Sequence, residues 1–362
     1  MDSGHNPKLR FGMSLQQAAE SSFHPGISNG PPLPAVNYGL VGKEAPSLLP
    51  TPLGNLPAAS AVVITWADAE WAALNQVFCA GGSPMPYSAR SHGTWPGWVK
   101  YATNLQPGGP SDWTYWGYYR LVQVSGKPVL LFKSNTHLDW PGASYLEALI
   151  KLLATEVKPS VILSIGTAGG AKPQDHIGTV RAVSAGTLYK SGKPPATWLE
   201  YKNDWKPSGA TLANANFPRL LFSVPTTESD LQALCAKFNQ HYGTNYTLPQ
   251  LDPNGLNLGD AIPQIDDQTG GGTSLLTTST FVVGTTAGNY QAYASIEMDD
   301  AIIGEACASS GVAFGFVRNV SDPVQSAALP AKVQGNWGSA VYDAYGFYTS
   351  YNGAVAAWAM LS

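Results

Sequence analysis

The chain has 362 residues, enough to bury a large core, with only 12% charged side chains, 11% aromatics and a formal net charge of -4. That balance offers no electrostatic case for a nucleic-acid partner, and no apolar run is long enough to span a bilayer. The first twenty or so residues lack the apolar core of a signal peptide. Three cysteines, Cys79, Cys235 and Cys307, stand far apart without metal-ligand spacing, so buried thiols in a reducing, cytoplasmic setting are expected.

Residues 1–58 are rich in Pro, Gly, Ser and Asn and read as an irregular extension wrapped on the body or on a partner subunit. Regular structure is expected from residue 59 to the end. Residues 61–65 form a short buried strand, and a helix starts at Asp68 with Trp71, Leu74 and Phe78 on one face. Residues 118–124 and 128–132 predict two strands joined by the hairpin signal Ser125-Gly126-Lys127. Residues 145–157 predict a helix with Leu146, Leu149, Ile150 and Leu153 on its inner face, stopped by Lys158-Pro159. The continuous apolar run 161–165 reads as a strand buried on both faces, and 177–184 as another. Residues 186–275 are a long variable insertion with one helix, about 227–242, and a turn-rich end at Gly270-Gly271-Gly272. Order resumes at 280–283. A helix over 300–309 ends at Gly311, a strand covers 312–317, and a closing helix runs over 339–361. The alternation of strands and helices predicts an α/β chain with a mixed, mostly parallel sheet.

Four segments carry candidate chemistry. Gly166-Thr167-Ala168-Gly169-Gly170 follows a strand, where glycines let a ligand approach backbone amides; a tight strand-exit turn would look the same. It is neither a phosphate-binding Walker loop nor a dinucleotide fingerprint. Glu297, Asp299 and Asp300 crowd one helix start, and Asp300 reads as a dipole cap. Ser321-Asp322-Pro323 after a strand is compatible with a plain turn, and Glu70 with a solvated helix face. His137, His176 and His241 are not at ligand spacing and read as surface or structural residues, so no metal or organic cofactor is implied.

Together these segments resemble the purine nucleoside phosphorylase and methylthioadenosine nucleosidase superfamily, from about residue 61 to residue 361. Ile296-Glu297-Met298-Asp299 looks like its ribose motif Val-Glu-Met-Glu, and Arg318-Asn319-Val320-Ser321-Asp322 like its Arg-x-Ile-Ser-Asp motif. The resemblance implies a sheet partly closed into a barrel and surrounded by helices, a purine nucleoside as substrate, and a homo-oligomer. It implies Asp322 as the acid that protonates purine N7, oriented by Ser321. Glu297, Met298 and Asp299 would hold the ribose, Phe281 would stack on the base, and Val282 would offer backbone bonds to it. Thr167, with Ala168 and Gly169 beside it, would lie near the nucleophile, and Glu70 would activate water. Asp299 replaces the usual Glu and reaches less far.

Phosphorylases need Arg side chains and glycine amides for phosphate. Here neither the 65–71 loop nor Ser164-Ile165 carries Arg or Lys, which points to hydrolysis over phosphorolysis. A phosphorylase drawing cations from elsewhere, a non-catalytic nucleoside binder, and a nucleotide-depleting effector stay open. Trp66 and Trp71 are candidates for the wall of a 5' pocket or for the core.

Overall fold

The computed structural model describes residues 30–91, 94–253, 263–278, 284–288 and 290–362. The strand expected at 280–283 lies outside them, as do Phe281 and Val282.

The elements, in chain order, begin with β1 (Ser47–Leu48), β2 (Ala61–Thr65), α1 (Asp68–Phe78), β3 (Val99–Tyr101), β4 (Gly117–Val124), β5 (Lys127–Ser134), α2 (Ala143–Val157) and β6 (Val161–Gly169). They continue with β7 (Val180–Val183), β8 (Ala185–Leu188), β9 (Leu199–Lys202), α3 (Glu228–Tyr242), α4 (Leu248–Leu251), β10 (Ile265–Asp267) and β11 (Leu275–Thr277). β12 (Ile296–Glu297), α5 (Asp300–Ser310), β13 (Ala313–Asp322) and α6 (Ala331–Leu361) complete the chain.

The strands form one mixed sheet whose central members β5, β2, β6 and β13 run parallel. The hairpin β4–β5 adds an antiparallel edge, and its turn residues Ser125 and Gly126 both take positive φ, as a two-residue hairpin requires. β6 pairs with β2, β13 and β12 along its length, so the sheet branches there; among the described residues the strand path does not close.

Continuous apolar runs suit strands covered on both faces, and two cores do cover them. On one side α1 and α6 pack with residues of the 30–58 segment, whose Leu33, Val36, Tyr38 and Val41 are buried. On the other side α2 and α5 pack on the sheet through Leu146, Leu149, Ile150, Ile303 and Cys307. The part of the N-terminal extension that is described is therefore wrapped on the body.

Three boundaries differ from expectation. β13 continues five residues past Val317, because its parallel partner β6 also continues to Gly169 and the ladder is kept. Ser321-Asp322 is thus strand rather than turn. The strand expected over 177–184 is only β7, over 180–183, and β8 follows from Ala185. α6 starts at Ala331, not 339: Gly335 and Gly338 read as breakers, yet both are buried, and packing outweighs the helix penalty of about 1 kcal/mol per Gly. No helix among the described residues is long and apolar enough to cross a membrane.

Candidate active site

The parallel strands deliver their C-terminal ends to one side of the sheet, the crevice in which open α/β sheets bind ligands. There a cavity is lined by Glu70, Thr167, Ala168, Gly169, Ile296, Glu297, Met298, Asp299, Ser321 and Asp322, together with Trp66, His137, Thr278, Arg318 and Tyr342. The sequence candidates outside the undescribed stretch are therefore brought together. Thr278 is the last described residue before Phe281 and Val282.

Glu70 sits in the first turn of α1 but faces inward. Its Oε2 accepts from Thr65 Oγ1 (2.9 Å), Trp66 N (3.1 Å) and Ala67 N (2.8 Å). Its Oε1 accepts from Thr167 N (2.8 Å) and Thr167 Oγ1 (2.9 Å). Ala67 has no side-chain acceptor, so Glu70 alone caps the helix entry. Five donors on one carboxylate favour its anion. Glu70 is thus not on a solvated face.

Asp322 is aimed by a bulge. The β6–β13 register slips between Val320, opposite Ala168, and Asp322, opposite Gly169, and such a slip re-aims a side chain at a strand end. Ser321 Oγ donates to Asp322 Oδ1 at 2.8 Å and orients the carboxyl. A Cβ at Gly169 would lie 3.0 Å from Asp322 Oδ2, so glycine there gives the acid its room.

The acids at the start of α5 surround one guanidinium. Arg318 Nε donates to Asp300 Oδ2 at 2.8 Å, and Nη2 donates to Asp300 Oδ1 and to Ser164 Oγ (2.8 Å). Nη2 also lies 3.3 Å from Glu297 Oε2. Asp300 lies in the first turn of α5, as an acid complementing the helix dipole should, but its side chain is fully buried in this ion pair rather than exposed at the helix end. Glu297 Oε2 accepts from Asp299 N (2.6 Å) and Asp300 N (3.0 Å), and Thr277 Oγ1 donates to Oε1. Burial, then the neighbouring Asp300, pushes the Glu297 carboxyl up to about 8, against the pull of Arg318. Burial pulls Arg318 down, but Asp300, Glu297 and Asp299 outweigh it and hold the guanidinium protonated.

Asp299 stands at the N-cap position of α5, but its side chain makes no capping bond. Its oxygens turn toward the loop after β5: Leu138 N donates to Oδ1 at 3.0 Å, and His137 Nε2 lies 3.2 Å from Oδ2. Burial pushes its carboxyl up to about 6, while His137 and Arg318 pull it down. Met298 is half-buried on the cavity wall. Trp66 and Trp71 part company. Trp66 walls the cavity, with its Nε1 donating to Thr136 O at 2.7 Å, whereas Trp71 packs in the core between Trp98 and Tyr118.

Two site residues escaped the sequence reading. Arg318 was legible as part of a motif, but its place beside Gly166 follows from β6–β13 register, in which the two are partners. His137, expected at the surface or in a structural role, is buried on the cavity wall; the acidic residue two positions on, Asp139, was the available signal. Among the described residues no group of three or more His, Cys, Asp or Glu is arranged to hold a metal ion.

A scan against protein-family models finds no match, and a search of curated proteins finds none. Similar solved structures include the 5'-methylthioadenosine/S-adenosylhomocysteine nucleosidase of Neisseria meningitidis in complex with methylthio-immucillin-A, at 11% identity and TM-score 0.45, covering 83% of this chain and 98% of that one. Another is the S-adenosylhomocysteine nucleosidase of Streptococcus pyogenes, at 12% identity and TM-score 0.43, covering 85% and 98%. A third is the futalosine hydrolase of Helicobacter pylori, at 11% identity and TM-score 0.44, covering 83% and 97%.

Proposed function

We propose that the chain hydrolyses the N-glycosidic bond of a purine nucleoside or 5'-modified purine nucleoside, releasing the free base and the sugar. The observation that supports this most is the meeting of Glu70, from the first turn of α1, and Asp322, from the end of β13, in one cavity whose remaining wall carries Glu297 of β12 and Asp299 at the head of α5. An acid and a base on separate elements are what the reaction needs.

Asp322, in its protonated form and oriented by Ser321, gives its proton to purine N7 as the bond from C1' to N9 breaks. The base then leaves neutral. Water attacks C1', its oxygen forming the new bond while Glu70 takes its proton. Solvent returns that proton to Asp322, and the balance is nucleoside plus water to base plus sugar. A Cβ at Gly166 would overlap Arg318 Nη1 and lie 3.1 Å from Glu70 Oε1, so the guanidinium and the carboxylate flank the same glycine and together offer a donor and an acceptor to one water. Negative charge on the sugar side, from Asp299, suits an oxocarbenium-like transition state, while Glu297, which holds its proton, can donate to a sugar hydroxyl.

Charge favours water over phosphate. Among the described residues the cation beside Gly166, Arg318, is neutralised from behind by Asp300, and the Glu70 carboxylate flanks the same glycine. Arg318 is the feature that favours phosphorolysis, since it brings to Gly166 the cation absent from the neighbouring sequence. The test is incubation of the protein with adenosine, inosine, guanosine and methylthioadenosine, without and then with phosphate. Chromatography follows base, ribose and ribose 1-phosphate. Base and free sugar without phosphate support hydrolysis; strict phosphate dependence with ribose 1-phosphate refutes it.

A further inference from the structure

His137 closes the sugar side of the cavity from a loop with little freedom. His137 N donates to Trp140 O at 2.7 Å, Ser134 Oγ and Trp66 Nε1 both donate to Thr136 O at 2.7 Å, and the Trp66 ring stands edge-on to the imidazole at 6.3 Å. The imidazole lies between two acids: Nδ1 is 2.9 Å from Asp139 Oδ1, and Nε2 is 3.2 Å from Asp299 Oδ2. A neutral imidazole has one N–H and can donate to only one of them, so a carboxylate at each nitrogen favours the imidazolium. Of the other titratable groups lining the cavity, Arg318 of β13, itself paired with Asp300 of α5, opposes its charge and Glu70 of α1 supports it, while Asp322 of β13 and Glu297 of β12 do so only when ionised.

Asp299 is one methylene shorter than glutamate, and both its oxygens already face residues 137 and 138. It is poorly placed to grip a sugar diol alone. The Nε2 to Oδ2 separation exceeds the 2.7–2.9 Å usual for a charge-assisted bond, so that N–H can be shared with a third atom. A hydroxyl entering there would accept from His137 Nε2 and donate to Asp299 Oδ2.

We propose that His137 is a specificity-determining residue, which together with Asp299 reads one hydroxyl of the sugar and so selects ribonucleosides over a deoxy form. This rests on the nucleosidase reading, and the experiment separates the two. Base release is followed for adenosine, 2'-deoxyadenosine and 3'-deoxyadenosine with the wild type, with His137→Gln, and with Asp139→Asn, which leaves the cavity wall intact. Wild type should favour adenosine over one deoxy form by about tenfold or more in kcat/KM, the worth of one well-made hydrogen bond. His137→Gln should bring that ratio close to one by lowering the adenosine value. Asp139→Asn should keep the ratio at low pH and lose it at a lower pH than the wild type, because one of the two acids favouring the imidazolium is gone. An equal fall for all three substrates in His137→Gln, or a wild type blind to both hydroxyls, overturns the proposal. If the wild type releases no base from any nucleoside, the nucleosidase reading fails. Calorimetric titration with adenosine and the two deoxy forms then decides the inference: His137→Gln must lose the ribo preference in binding, and retention of it overturns the role.

Discussion

Gly166→Ala tests whether the site is as closely built as its hydrogen bonds imply. Gly166 lies on β6 opposite Arg318, and a Cβ there would overlap Arg318 Nη1 and stand 3.1 Å from Glu70 Oε1. A guanidinium on a flexible arm would swing aside at little cost. Arg318 is not flexible: Asp300 takes its Nε and Nη2, Ser164 takes Nη2 again, and the residue is buried. To make room it must distort at least one charge-assisted bond, worth about 1.5–3 kcal/mol. Overpacking a tight interior typically costs about 1–3 kcal/mol, so a loss of about 2–3 kcal/mol is expected in urea unfolding. Displacing the guanidinium by about 1 Å should lower base release by about a hundredfold. A variant with an unchanged unfolding midpoint and a rate within about threefold of the wild type would refute the packing argument, because effects that small are typical of surface substitutions.

Other substitutions address single roles. Asp322→Asn should abolish turnover while nucleoside binding stays measurable by calorimetry; retained turnover would remove Asp322 from the acid role. Glu70→Gln should lower turnover by about a hundredfold or more as the base is lost. It should also destabilise the protein by about 1–2 kcal/mol, since the cap of α1 and five accepted hydrogen bonds depend on that carboxylate. The acids at the head of α5 predict a pH dependence of stability. Glu297 and Asp299 hold their protons more tightly folded, near 8 and 6, than their ordinary 4.5 and 3.8, so their contribution is fully present below about pH 4 and is lost as pH rises through about 8. Glu297→Gln should flatten the decline in unfolding free energy between about pH 5 and about pH 9, and an unchanged slope would contradict the assignment.

Much of the frame was legible because it is local. The face of α2, the hairpin turn at Ser125-Gly126, the stop at Lys158-Pro159 and Gly311 beyond α5 each follow from a few neighbouring residues, and each stands as expected. The motif residues Glu297, Asp299, Ser321 and Asp322 line one cavity, although Glu297 lies on β12 rather than at the helix start and Ser321-Asp322 lie within β13 rather than after it. What the sequence concealed depends on register between distant strands. Nothing near Gly166 announces Arg318, and the argument from an Arg-free loop overlooked the cation that β13 brings there. The same holds for Asp299, whose reach could be judged from its length but whose attachment to His137 and Leu138 could not. Residues 186–275 were opaque because β8, β9 and β10 are three or four residues long, and β9 is largely exposed, too little for a clear alternation.

The central claim is that water, activated between Glu70 and Arg318, is the group that ends on the sugar. Turnover in phosphate-free heavy-oxygen water, with mass spectrometry of the released sugar, reads this directly. The account predicts free sugar carrying the heavy oxygen at C1', with the label lost along with activity in Glu70→Gln. Base release that occurs only when phosphate is added, with the sugar recovered as its 1-phosphate and no solvent oxygen at C1', would contradict it.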